Sequence, residues 1–188
     1  YTANGTIFSY DPNGQYEALD DGEVATDTFT YTISDGALSA TATVSITING
    51  INDAPVADSQ SVSIDEDTAS GIILTASDVE GDSLTWTIVD DPQHGDLSGT
   101  APNLTYTPDT NYHGSDSFTF KVNDGLLDSN LATVTITVNP VNDAPVADSQ
   151  SVTTDEDTAK GIILTASDLE GDSLTWTIVD DPQHGDLS

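Results

Sequence analysis

The stretch DSFTFKVNDGLLDSNLATVTITVNPVNDAP, Asp116 to Pro145, decides the reading of this chain. Phe118, Phe120 and Val122 alternate with polar residues, and so do Val134, Ile136 and Val138. Successive side chains of a β-strand point to opposite faces, so this period of two gives one apolar face and one wet face. Between the two runs lies the turn signal Asn123-Asp124-Gly125, and a hairpin follows. The second run closes on Asn142-Asp143-Ala144-Pro145. Proline cannot donate to a ladder and holds its predecessor extended, so the hairpin ends in a short, stiff joint.

The same phrase occurs earlier as DTFTYTISDGALSATATVSITINGINDAP, residues 27–55. Phe29, Tyr31 and Ile33 alternate there, as do Val44, Ile46 and Ile48; Leu84, Trp86 and Ile88 form another such run. No stretch carries helical periodicity with capping signals. Residues 52–98 align without a gap with 142–188 and differ at four of 47 positions, Ser63/Thr153, Ile64/Thr154, Ser70/Lys160 and Val79/Leu169. The period of 90 residues suits one small sandwich rather than a solenoid turn. Residues 1–53 therefore read as the C-terminal half of one repeat, 54–143 as a complete repeat, and 144–188 as the N-terminal half of the next. The expected class is all-β, a tandem array of Ig-like antiparallel Greek-key sandwiches. Trp86 and Trp176 are expected in its cores, with sugar stacking as the alternative.

Charge narrows the function. The chain carries 33 acidic residues against two lysines, a net charge of -31. Phosphate recognition needs basic side chains, which excludes nucleic acid and an anionic membrane surface as default partners. No run approaches the length of a membrane span. Cysteine is absent, so stability must come from core burial or bound ions. The three histidines, His94, His113 and His184, sit in turns with no nucleophile or second base beside them. No catalytic site is read.

The acids cluster at turns: Asp65-Glu66-Asp67, then Asp78, Glu80 and Asp82, then Asp124, with Asp143 at the joint; Asp155, Glu156, Asp157 and Asp168, Glu170, Asp172 repeat the first two groups. Crowded carboxylates repel by roughly 1 to 4 kcal/mol per pair, and almost no basic residue offsets them. A hard divalent cation would, and Ca2+ takes oxygen ligands of this kind. A solvated acidic surface is the alternative.

The string NDAPVA…DEDT…ASDVEGDSLTWTI…GSDSFTFKVNDG…ATVTITVNPVNDAP resembles the cadherin-like tandem repeats of very large bacterial secreted and surface proteins. Residues 1–53 are similar to the allied VCBS repeat. The resemblance implies an extracellular spacer or stalk of an RTX-type adhesin, serving adhesion or biofilm, with Ca2+ bridging successive domains. Carried over by motif, the first joint would draw on Asn52, Asp53, Asp78, Glu80 and Asp124. The second would draw on Glu66, Asp116, Asn142, Asp143, Asp168 and Glu170, with Glu156 as the copy of Glu66. The joint is one residue shorter than in cadherins. The L-D-R-E glutamate motif is not evident, leaving Asp27 and Asp116 as stand-ins. Neighbouring repeats are the implied partners, and glycans would be bound by domains outside this stretch. Two other readings remain: a filament subunit assembled from complementary half-domains of identical chains, and a carbohydrate-binding module.

Overall fold

The computed structural model describes residues 5–187. They are all β-strand, turn and loop, in two units divided between Pro140 and Val141.

The first unit opens with an antiparallel hairpin, β1 (Val24–Ser34) and β2 (Ser39–Asn49), in continuous register from Val24↔Asn49 to Ser34↔Ser39. The complete repeat follows as β3 (Val56–Ala57), β4 (Gln60–Asp65), β5 (Ser70–Ile73), β6 (Ala76–Ser77), β7 (Thr85–Asp90), β8 (Gly95–Thr100), β9 (Asn103–Pro108), β10 (Gly114–Asn123) and β11 (Ala132–Asn139). One sheet has the order β4-β11-β10-β7 and a second β5-β9-β8, with β3 and β6 paired beside them. The apolar positions of the alternating runs fill the space between. Phe118, Phe120, Val122, Val134, Ile136 and Val138 from the first sheet meet Ile72, Leu104 and Tyr106 from the second, all buried. Each fully buried side chain of this size stabilises by about 1.5–3 kcal/mol. Trp86 packs half-buried on this core, its ring stacked 5.8 Å from Phe120.

One pairing departs from the antiparallel expectation: β4 runs parallel to β11, from Gln60↔Val134 to Asp65↔Asn139. The first long strand of the repeat thus lies beside its last in the same direction. The chain enters the sandwich at one pole and leaves it at the other, which permits stacking in series. The turns at 78–82 and 124 belong to the N-terminal pole. Residues 65–67 and 91–94 belong to the C-terminal pole.

The second unit has two short strands among its described residues, β12 (Val146–Ala147) and β13 (Ala166–Ser167), which pair antiparallel. Contrary to the sequence expectation, Trp176 is 51% exposed, and the hairpin residues Phe29, Tyr31 and Ile33 are exposed as well. Among the described residues, no strands pair over them like those that cover the corresponding residues of the sandwich at 54–139. Among the described residues no helix is long and apolar enough to cross a membrane.

Candidate metal centre

At the N-terminal pole of the complete repeat, the joint and two turns are laced together. The Asn52 amide Nδ2 donates to Asp124 Oδ2 at 3.0 Å and to the Asp53 carbonyl at 3.0 Å. The Asp53 backbone N–H donates to Glu80 Oε1 at 3.3 Å. Asp78 Oδ1 accepts from the N–H groups of Gly81 and Asp82, at 2.9 and 3.0 Å. Gly81 has a φ of 86°, a conformation that side chains resist, so this turn needs glycine. Asp124 Oδ1 accepts from Leu126 and Leu127 N–H groups at 2.6 and 2.7 Å. The Asn52 hydrogen bond, followed by these backbone donors, holds the Asp124 carboxyl below the usual range.

The five residues read from sequence for the first joint, Asn52, Asp53, Asp78, Glu80 and Asp124, are thereby brought together. Three of their oxygens are buried and accept no hydrogen bond: Asn52 Oδ1, Asp78 Oδ2 and Glu80 Oε2. An unsatisfied buried acceptor costs about 1–3 kcal/mol, more when charged. Each is an oxygen donor of the type that calcium takes, so these residues fit the implied ion. Among the described residues, no three Asp, Glu or His side chains form a ready-made chelating group.

Sequence reasoning placed Asp82 in the acidic cluster but not among the ligands, and it missed Asp20 and Glu23. The Asp82 carboxyl is pushed up, first by desolvation and then by the charges of Asp20, Asp78, Asp124 and Glu23. Asp20 and Glu23 come from the loop before β1. The Glu23 carbonyl accepts from Gly50 N–H at 2.9 Å. A Cβ on Gly50 would stand 2.2 Å from the Asp20 carbonyl oxygen, so only glycine lets the loop lie against the joint. The signal was present as Leu19-Asp20-Asp21-Gly22-Glu23, an L-D-R-E-like string with one extra residue.

The residues read for the second joint fall in both units. Within the second unit, the Asn142 amide donates to the Asp143 carbonyl at 2.9 Å, and Asp143 N–H donates to Glu170 Oε2 at 3.3 Å. Asp168 Oδ1 accepts from Asp172 N–H at 2.8 Å, and Asp143 Oδ2 is buried without a hydrogen bond. The local lattice of the first joint is thus reproduced. Glu156 is exposed.

Glu66 and Asp116 lie at the C-terminal pole of the complete repeat, both buried. The Glu66 carboxylate stands 3.8 Å from His113 Nδ1, and its backbone N–H donates to the Asn139 carbonyl at 2.9 Å. Asp116 is engaged within its own domain. It accepts from the N–H groups of Gln93, His94 and Ser117 and from the Tyr106 hydroxyl, at 2.8–2.9 Å. Burial would raise its pKa, but these four donors outweigh it and hold the carboxyl down. Its work here is to fasten the Asp91–Gly95 turn to β10. Asp27, the other stand-in, accepts from the Tyr10 hydroxyl at 2.8 Å. Tyr10–Asp27 is thus the hairpin's version of Tyr106–Asp116.

The chain is 34% identical over 104 residues to Integrin beta-like protein B of Dictyostelium discoideum, covering 55% of this chain and 5% of that protein. It is 30% identical over 137 residues to the Extracellular matrix organizing protein FRAS1 of Homo sapiens, covering 60% and 3%. The chain therefore spans a small fraction of these curated relatives. Among solved structures, it is similar to an endo-fucoidan hydrolase from glycoside hydrolase family 107, at 30% identity over 66% of this chain and 20% of that one, with a TM-score of 0.40. It is also similar to the extracellular cadherin domains 1-5 of Protocadherin Gamma B2, at 19% identity over 77% and 32%, with a TM-score of 0.45. Residues 1–47, 52–137 and 142–188 each match the bacterial Ig domain, and the chain belongs to that family.

Proposed function

We propose that this chain is a run of calcium-stiffened spacer repeats in a large extracellular or cell-surface protein serving adhesion or biofilm formation. The observation that carries the proposal is the set of orphaned buried oxygens of Asn52, Asp78 and Glu80, gathered where two repeats join. Asp124 and Asp82 of the following repeat, with Asp20 and Glu23 of the preceding one, complete an oxygen-rich neighbourhood that lacks basic side chains. Asn142, Asp143, Asp168 and Glu170 repeat the short-range contacts of the first joint at the next one. The ion, when bound, supplies positive charge that offsets carboxylate repulsion; the side chains hold the joint in place around it. No reaction is assigned to the chain.

The parallel β4–β11 pairing supports the reading, because a domain entered at one pole and left at the other lengthens a stalk. The relatives named for an integrin-like role and for organising extracellular matrix are consistent with a surface location, as are the cadherin-like and VCBS-type motifs.

Thermal unfolding with calcium and then with chelator, at constant ionic strength, tests the proposal. Calcium at a thousandfold its Kd stabilises by about 4 kcal/mol. Asn52→Ala and Asp78→Asn should reduce that gain while leaving the chelated protein folded. An unchanged Tm would reject structural calcium.

A further inference from the structure

The loop between β10 and β11 grips the first joint at both ends. The joint segment runs from Asn52 to Ala57. At its start the Asn52 amide donates to Asp124 Oδ2 at 3.0 Å. At its end Ala57 N–H donates to Asn130 Oδ1, and Asn130 Nδ2 donates to the Ala57 carbonyl, both at 3.0 Å. Ala57 is buried and pairs on its other side with Ala76 of β6. A side-chain amide offers both a donor and an acceptor, as a peptide unit does. Asn130 thus stands in for a neighbouring strand on the free edge of β3. Between its two grips the loop is fastened to the domain. Asp128 accepts from Asn123 Nδ2 at 2.8 Å and Lys121 Nζ at 2.5 Å. Val122 N–H donates to Ser129 Oγ at 3.0 Å, and Ser129 N–H donates to the Val122 carbonyl at 2.8 Å. Val122 itself lies in the core.

The β1–β2 turn shows the short form of this loop. Asp35 Oδ1 accepts there from Ala37 and Leu38 N–H groups, as Asp124 does from Leu126 and Leu127, but the strands stay paired up to Ser34↔Ser39. The β10–β11 ladder stops earlier, at Phe120↔Ala132. The chain from Asp124 to Val134 is also one residue longer than that from Asp35 to Val44. The early parting of the strands frees Asn130 to reach Ala57. We propose that Asp124–Asn130 is a strap that sets the position of the joint, with Asn130 as a positioning residue for the ion site. The Asn130 side chain bonds to Ala57 and Leu131, so it acts through the joint segment and not on the ion. The partners that orient a ligand tune a metal site as the ligands do. Ion uptake at the first joint is thereby made conditional on folding of β10 and β11, which carry the strap. The effect on the ion rests on the calcium-stiffened spacer proposed above; the strap itself does not.

NMR of the Asn52 side-chain amide in the full chain, first with chelator and then through a calcium titration, tests the proposal. In chelator, Asn130→Ala should shift the Asn52 amide resonances, although the change is made at the far end of the strap. The calcium concentration that moves those resonances should then rise by about threefold to tenfold. Asn130→Asp keeps an acceptor for Ala57 N–H and loses the donor, so it should give smaller changes in the same direction. Thr119→Val removes the 2.7 Å bond from Thr119 Oγ1 to Asp90 Oδ2, a comparable lesion away from the joint, and should leave both readouts unchanged. Asn52 resonances that stay in place in both Asn130 variants would overturn the proposal. So would a Thr119→Val variant that shifts them equally. A wild-type chain whose Asn52 resonances ignore calcium would reject structural calcium, and the shifts in chelator would then decide the strap alone.

Discussion

Residues 52–97 and 142–187 have almost the same sequence and different structures. The first copy forms six strands and sends Ile72 and Leu74 into a core; the second forms two short strands and leaves Ile162, Leu164 and Trp176 exposed. Some features are nonetheless shared. Both copies hold the Asn-Asp joint to the acidic turn, and both pair Val-Ala with Ala-Ser, as β3 with β6 and β12 with β13. The Asp53–Glu80 and Asp143–Glu170 contacts each span 27 residues and stay within one half of a repeat, whereas the Asn52–Asp124 bond of the first joint reaches 72 residues into the other half. The sandwich needs β9 to β11, and among the described residues only the first copy has such strands beside it. The comparison separates locally encoded contacts of the joint from a cooperatively encoded core.

The comparison can be broken from the core side. Phe120→Ala removes a fully buried ring and its stack on Trp86, at a cost of about 3–5 kcal/mol. Urea unfolding should show residues 54–139 approaching the uncovered state of 142–187. A paired substitution sharpens the contrast. Trp86→Ala should cost about 2–3 kcal/mol, whereas Trp176→Ala should fall within about 0.5 kcal/mol of wild type, both read by the same unfolding curve.

Asp116→Asn should destabilise the complete repeat by about 1–3 kcal/mol, because it leaves donors poorly matched in a buried place. The pH dependence follows from the lowered carboxyl pKa of Asp116. The contribution is present above the unfolded-state pKa and is lost as pH falls through the folded-state value. The acid limb of stability should therefore flatten in Asp116→Asn. Asp82 has the opposite sign: its raised pKa makes its ionised form a burden, so Asp82→Asn should stabilise the chelated protein slightly near neutral pH. The same substitution should weaken any calcium gain.

Gly50→Ala should force the Asp20 loop off the joint, because a Cβ there would stand 2.2 Å from the Asp20 carbonyl oxygen. Hydrogen exchange at the Gly50 amide should quicken while amides in β10 and β11 keep their protection.

Strand positions were legible because alternation of Phe, Tyr, Ile and Val with Thr and Ser admits one face inward. The joint was legible because Asn52, Asp53, Asp78 and Glu80 lie close in sequence and bond locally. Asp20 and Glu23 were not, because their approach depends on Gly50 admitting a backbone that no nearby motif announces. Asp116 was read by its place in a motif, whereas its surroundings show four donors converging from the Asp91–Gly95 turn, Tyr106 and its own strand. The parallel course of β4 beside β11 was also beyond local patterning, since alternation fixes which face is buried and not which strand lies alongside.

By itself, then, the sequence determined the repeat, the two-fold periodicity, the stiff joint and the surplus of oxygen donors around it, all of which rest on residues near one another in the chain. Tertiary structure decided which copies of that sequence became strands. A strand's backbone and apolar face are satisfied only by partners, and those partners lie tens of residues away.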